Sequence, residues 1–140
     1  MRGVIEIEKY AFSGCSALSE LELDKLEIIG QGALSWCTSL RSVNMPSVRR
    51  VGTYAFQSCT ALADVVFGQH LERIEEYAFC DCTTPRQITI PLKYELIIDN
   101  YSFRNCGSLS RVDAHDGLHE TISSLHMESW RDEMLEEIDR

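Results

Sequence analysis

Basic residues are scarce in this chain: 13 Lys and Arg stand against 22 Asp and Glu, for a formal net charge of −9. That balance argues against general binding to nucleic acid or to anionic membranes, both of which call for a basic surface. Long apolar runs are missing too. Runs such as Val65-Val66-Phe67 and Leu96-Ile97-Ile98 fall far short of the roughly 20 residues that cross a bilayer. After Met1-Arg2 the chain reads Gly-Val-Ile-Glu-Ile-Glu, without the apolar stretch of a secretory leader. Glycine-rich phosphate loops, H-E-x-x-H and G-x-S-x-G are all absent. His119 and His126 could share a helical face, but two histidines without a third ligand make a weak metal site. No catalytic residue, metal or cofactor is therefore expected.

What is present is enough to fold. The 140 residues are 44% apolar and 25% charged, ordinary values for one folded domain or one stack of repeats. Charge is unevenly spread: residues 1–112 hold 11 basic and 13 acidic residues, residues 113–140 hold 2 and 9. That shift predicts a segment boundary near residue 113.

Laying the cysteines in register uncovers a repeat. Cys15, Cys37, Cys59, Cys82 and Cys106 are spaced by 22, 22, 23 and 24 residues. Ala11-Phe12-Ser13-Gly14-Cys15 aligns with Ala33-Leu34-Ser35-Trp36-Cys37, Ala55-Phe56-Gln57-Ser58-Cys59, Ala78-Phe79-Cys80-Asp81-Cys82 and Ser102-Phe103-Arg104-Asn105-Cys106. Four positions before each Ala or Ser lies Ile7, Ile29, Val51, Ile74 or Ile98. Beyond each Cys comes an apolar–x–apolar pair: Leu21/Leu23, Val43/Met45, Val65/Phe67, Ile88/Ile90 and Val112/Ala114. Period two in such residues marks a strand with one buried face. A unit this small cannot bury its own apolar side, so stacking must complete the core, and the expected fold is a solenoid.

The motif I-G-x-x-A-F-x-x-C-x-x-L-x-x-V-x-L resembles the leucine-rich repeat of the BspA-like type, in five copies over roughly residues 4–114. Leu34, Pro85, Ser102 and Ala114 depart from its usual residues. The segment from Leu118 to Met134 is similar to the tail that follows such repeats in expanded microbial-eukaryote families. The resemblance implies an α/β repeat solenoid, a right-handed leucine-rich-repeat horseshoe segment with short parallel strands, and a non-catalytic binding scaffold. Bacterial members tend to be surface proteins.

Each column of the alignment carries an expectation. The five aligned cysteines should form a buried column of small, inert thiols, because side chains pointing the same way cannot close to disulfide distance. Cys80 belongs to a different column with Ser13, Ser35, Gln57 and Arg104, all polar, which predicts an exposed thiol. Tyr10, Tyr54, Tyr77 and Tyr101, with Gly32 in the second repeat, should lie along the surface with wet hydroxyls; a stacking platform for sugars or bases is the functional alternative. Trp36 is either an exposed hot spot or a ring laid flat over a neighbouring repeat near Gly14.

A strand-lined horseshoe binds on its concave face. Here that face should carry Glu20, Glu22, Asn44, Asp64, Val66, Arg86, Thr89, Arg111 and Asp113. Five strands of about four residues offer about 300 Å², against about 800 Å² per partner in a standard interface. Adjoining loops, a short peptide ligand or a longer natural protein would make up the difference. Residues 115–140 form the acidic end segment, where Trp130, Met134 and Ile138 fit one helical face. It is expected to cap residues 1–114, or else to bind a basic partner. The function expected is protein or peptide binding by a protein for which a monomer is favoured. Alternatives are a structural or oligomerisation module of a longer protein, and a surface adhesion or glycan-binding module. Unpaired thiols and the missing leader favour an intracellular, cytoplasmic location; a surface or secreted one would need an upstream signal.

Overall fold

The computed structural model describes residues 5–21, 23–91, 96–109, 111–114 and 119–121. Repeats two to five each contribute two strands, one more than the period-two pattern predicts. The shorter set is β1 (Glu6–Ile7), β2 (Ile28–Ile29), β4 (Arg50–Val51), β6 (Arg73–Ile74) and β8 (Ile97–Ile98), a parallel sheet in the order β1-β2-β4-β6-β8. The longer set is β3 (Ser42–Met45), β5 (Asp64–Phe67), β7 (Gln87–Ile90) and β9 (Arg111–Ala114), also parallel. A tenth strand, β10 (His119–Thr121), joins the outer edge of β9 antiparallel. The first repeat contributes only a bridge, Glu20 to Ser42, to this second sheet.

Both sheets turn one row of side chains into a shared core. Ile7, Ile29, Val51, Ile74 and Ile98 pair in register across the first sheet and are 0–7% exposed. Val43, Val65 and Ile88 do the same in the second at 1–3%. Between them run the phenylalanines. The Phe79 ring stacks on Phe56 at 4.8 Å and on Phe103 at 5.2 Å, and meets the edge of Phe67 at 6.1 Å.

The A-F-x-x-C segment joins the sheets as an arc whose backbone is saturated in two ways. In the first repeat Ala11, Ser13 and Cys15 N–H groups bond back three residues to Glu8, Tyr10 and Phe12. The intervening Tyr10, Phe12 and Gly14 N–H groups instead donate forward to the Gln31, Ala33 and Ser35 carbonyls. Two of the three successive turns need φ above zero at their third residue, as a type II turn does. Tyr10, Tyr54, Tyr77 and Tyr101 occupy the first such position and Trp36, Ser58, Asp81 and Asn105 the second, all at φ 57–61°. A left-handed L-residue costs about 1 kcal/mol or more; the cross-repeat hydrogen bonds and ring stacking offset it.

The cysteines tie the arcs together. Cys37, Cys59, Cys82 and Cys106 thiols donate to the Phe12, Leu34, Phe56 and Phe79 carbonyls of the preceding repeat, at 3.0–3.2 Å. A small residue with a donor thus suits this column better than a purely apolar one.

Gly52 shows how closely the repeats approach. A Cβ there would sit 2.7 Å from Gln31 N and Gly30 C and 2.8 Å from Ile29 O, all backbone. Gly52→Ala should therefore cost about 2 kcal/mol in urea unfolding, because two repeats must separate. Gly14→Asn should stay within about 0.5 kcal/mol, since Gly14 has nothing within 4 Å and Asn105 holds the same place in the fifth repeat. Equal costs would refute this account of the motif glycine.

The parallel-strand solenoid is present, built as two sheets, and the described residues contain no α-helix. Part of the segment expected to be helical, His119–Thr121, is strand β10, because the open edge of β9 offers backbone partners that the helical periodicity does not register. The remainder of the acidic segment, with Trp130, Met134 and Ile138, lies outside the described residues.

Candidate binding surface

The second sheet sets the expected binding residues in two rows. Glu20, Ser42, Asp64, Gln87 and Arg111 are successive partners in one, and Asn44, Val66, Thr89 and Asp113 in the other. Glu20, Asn44 and Asp64 are exposed, Val66 and Thr89 half-buried, and Arg86 is exposed just before β7. Glu22 lies outside the described residues; Arg111 and Asp113 are placed through β9. Parallel neighbours lie about 4.8 Å apart, so acidic, amide, aliphatic and hydroxyl groups follow one another along the stack. An open groove of about 400 Å³ starts this face, lined by Glu20, Leu21, Ser42 and Asn44.

Cys80 is not the exposed thiol its column predicts. It is 4% exposed, as is Ser35 of the same column, and it lines one groove with Gln57 and Arg104. Burial, with the Asp81 charge beside it, pushes the thiol up to about 11. All six cysteines are free, and only Cys15 is less than buried. Alkylation of the native protein should therefore label Cys15 first and leave Cys80 among the slow thiols. Peptide mapping that finds Cys80 labelled first would reinstate the exposed-thiol reading.

Three of the four tyrosines stack on one another along the surface. Tyr77 stacks on Tyr54 at 5.2 Å and on Tyr101 at 5.6 Å, with planes 8° and 17° apart. Tyr54 and Tyr77 are half-buried, while Tyr10 and Tyr101 stay 51% and 55% exposed. At Gly32 the Tyr10 ring occupies the space a Cβ would need, and the Tyr10 hydroxyl accepts from Gln31 Nε2 at 3.2 Å. Trp36 is 54% exposed, and nothing lies within 4 Å of a Gly14 Cβ, so the indole does not cover Gly14.

A second groove, of about 650 Å³, escaped the sequence reading. It lies beside the first sheet, with Ile5, Lys25, Glu27, Arg49 and His70 in its walls. Arg49 bridges Glu72 at 2.9 Å and Glu27 at 3.8 Å; Arg50–Glu75 and Arg73–Asp99 continue the series from repeat to repeat. Such exposed pairs contribute little stability each. Two-residue strands are too short to show a period, so nothing in the sequence pointed to this face. Among the described residues no cluster of three or more His, Cys, Asp or Glu is placed to hold a metal ion, and no helix is long and apolar enough to cross a membrane.

Comparison with known proteins agrees with this geometry. The family model described as "BspA type Leucine rich repeat region" matches residues 2–130 in six copies, one more than the cysteine register yields. A leucine-rich-repeat protein of T. pallidum superposes with a TM-score of 0.72 at 31% identity, over 80% of this chain and 54% of that one. A leucine-rich cell surface protein of Faecalibacterium prausnitzii A2-165 gives 0.74 at 25%, over 82% and 31%. One from Bacteroides ovatus gives 0.68 at 34%, over 81% and 30%. The chain thus spans about half of the first protein and under a third of the others. No curated protein matches the sequence. With the repeat motif, the two-sheet solenoid and the family model coinciding over most of its length, the chain belongs to the BspA-type leucine-rich-repeat family.

Proposed function

We propose that this protein is a non-catalytic scaffold that binds a protein or peptide on the outward face of its longer sheet and the adjoining loops. The observation that carries the reading is the pair of in-register rows, Glu20 to Arg111 and Asn44 to Asp113. Stacked identical backbones set different side chains at a constant spacing, the layout by which a solenoid reads an extended ligand. Nothing in these rows joins a nucleophile to a base, so they suit recognition rather than turnover. Six free thiols, four of them bonded to backbone carbonyls, favour an intracellular site of action. The F. prausnitzii neighbour, a cell surface protein, supports a surface adhesion module as the second reading.

The test is capture from a lysate of the source cell with quantitative mass spectrometry. Wild type would be run beside Arg86→Glu/Arg111→Glu/Asp113→Lys and beside Trp36→Asn, after circular dichroism shows each variant folded. The expected result is a partner lost with the triple variant and kept by Trp36→Asn. A partner kept by the triple variant and lost with Trp36→Asn would move the site to the arc.

A further inference from the structure

Trp36 costs the fold something and gains little from it. In the other four repeats its place in the arc is held by Gly14, Ser58, Asp81 and Asn105, all small or short and polar. Trp36 takes the same left-handed backbone at φ 61°, a conformation that is an outlier for so bulky a residue. The tyrosines at the other left-handed position stack on one another, but the indole has no ring contact and no side-chain hydrogen bond with any described residue. It stands 54% exposed, beside a Gly14 with open space where a Cβ would be and a Ser58 that is 4% exposed. Strained residues of this kind gather at functional sites.

What surrounds the ring is uncharged. Residues 13–17, 35–39 and 57–61, from the first three arcs, hold no Asp, Glu, Lys or Arg, in a chain that is 25% charged. Cross-repeat bonds set these segments side by side. The Gly14 N–H donates to the Ser35 carbonyl at 2.8 Å and the Trp36 N–H to the Gln57 carbonyl at 2.7 Å; the Ser13 and Ser35 hydroxyls lie 2.8 Å apart. Ser16, Thr38 and Thr60 are exposed in one column, and the Gln57 amide has no partner among the described residues. Charge returns only in the fourth and fifth repeats, with Asp81 and Arg104.

One aromatic ring amid neutral donors and acceptors selects among ligands. Nucleic acid would call for cations, which these segments lack. A protein would need about 800 Å² of contact, yet three repeats span only about 10 Å of the stack, and no other large apolar side chain of the three segments is exposed. A saccharide matches on both counts. The C–H face of a sugar covers a single aromatic ring, and its hydroxyls donate and accept as Ser, Thr and Gln groups do. We propose that the arc around Trp36 is a binding site for a neutral saccharide, with a sugar ring stacked on the indole and hydrogen bonds to Gln57, Thr38 and Ser13. This patch lies off the longer sheet and acts whatever that sheet binds.

The test is a glycan microarray of neutral and acidic oligosaccharides, probed with the full chain as wild type, Trp36→Asn and Trp36→Phe. Asn105 holds the equivalent place at φ 59°, so Trp36→Asn should unfold at no lower urea concentration than wild type. The strongest neutral glycan is then titrated by calorimetry. Trp36→Asn should weaken it by about tenfold or more, and Trp36→Phe, which keeps a ring, by clearly less. In Trp130→Phe, where Trp36 is the one tryptophan left, the same titration should move the emission to shorter wavelength as the ring is covered. A wild-type array with no neutral glycan bound, a preference for acidic glycans, equal affinity in Trp36→Asn, or binding with unmoved emission would each overturn the proposal. A blank array together with a lysate protein lost only from Trp36→Asn would do so too, and would make the indole a protein anchor.

Discussion

Phe79→Ala is expected to lower the unfolding free energy by about 4 kcal/mol, the upper range for deleting a buried ring. Phe79 is 1% exposed and sandwiched between Phe56 and Phe103, with Phe67 against its edge. Its removal costs the transfer free energy of the ring, three aromatic contacts and a cavity that the hydrogen-bonded arcs on either side cannot close. Phe79→Leu should cost only about 1–2 kcal/mol, since Leu34 fills the same column at 0% exposure. A solenoid holds each repeat only through its neighbours, so a cavity in the fourth repeat should also uncouple the two ends. Urea unfolding followed at separate reporters, one in the second repeat and one in the fifth, should then show two midpoints. A loss below about 1 kcal/mol with one shared midpoint would mean that the phenylalanine column is not the spine described here.

Alkaline pH should dismantle the fold through its thiols. Burial, with Cys59 adjoining, pushes Cys37 up to about 11, and burial pushes Cys106 up to about 12. Cys80 stands at about 11 for the same reason, and its bond to Cys59 together with burial holds Cys82 well above the ordinary thiol value of 9.0. A folded-state pKa raised above the unfolded one means that the native protein keeps protons the unfolded chain releases. The stabilisation is complete below pH 9 and is lost as pH climbs through 9 towards 11 and 12. Each such thiol contributes a slope of about 1.4 kcal/mol per pH unit within that window. The melting temperature should accordingly be level to about pH 8.5 and fall steeply by pH 10.5. Cys106→Ala should be less stable at neutral pH yet show a shallower alkaline decline. A decline of the same steepness in that variant would overturn the role given to Cys106.

These two predictions draw on features of unequal visibility in the sequence. The cysteine spacing made the repeat, the isoleucine column and the longer strands plain, because each rests on residue identity repeated in phase. Cys80 shows where such reasoning stops. Its column is polar in every other repeat, yet it is 4% exposed, because burial depends on how the arcs one repeat away on either side pack against it. The tyrosine column was equally visible, but whether its rings lie flat or stack depends on a backbone φ near +59° that no composition rule assigns to tyrosine.

By itself the sequence determined the repeat period, the solenoid and the rows of residues along each strand, since periodic burial needs only the order of apolar and polar positions. Only the tertiary structure decided the second sheet, the thiol-to-carbonyl bonds and the antiparallel closing strand. Each of these depends on which backbone groups meet across the stack once the repeats are a few ångströms apart, and that pairing is a property of neighbours in space rather than along the chain.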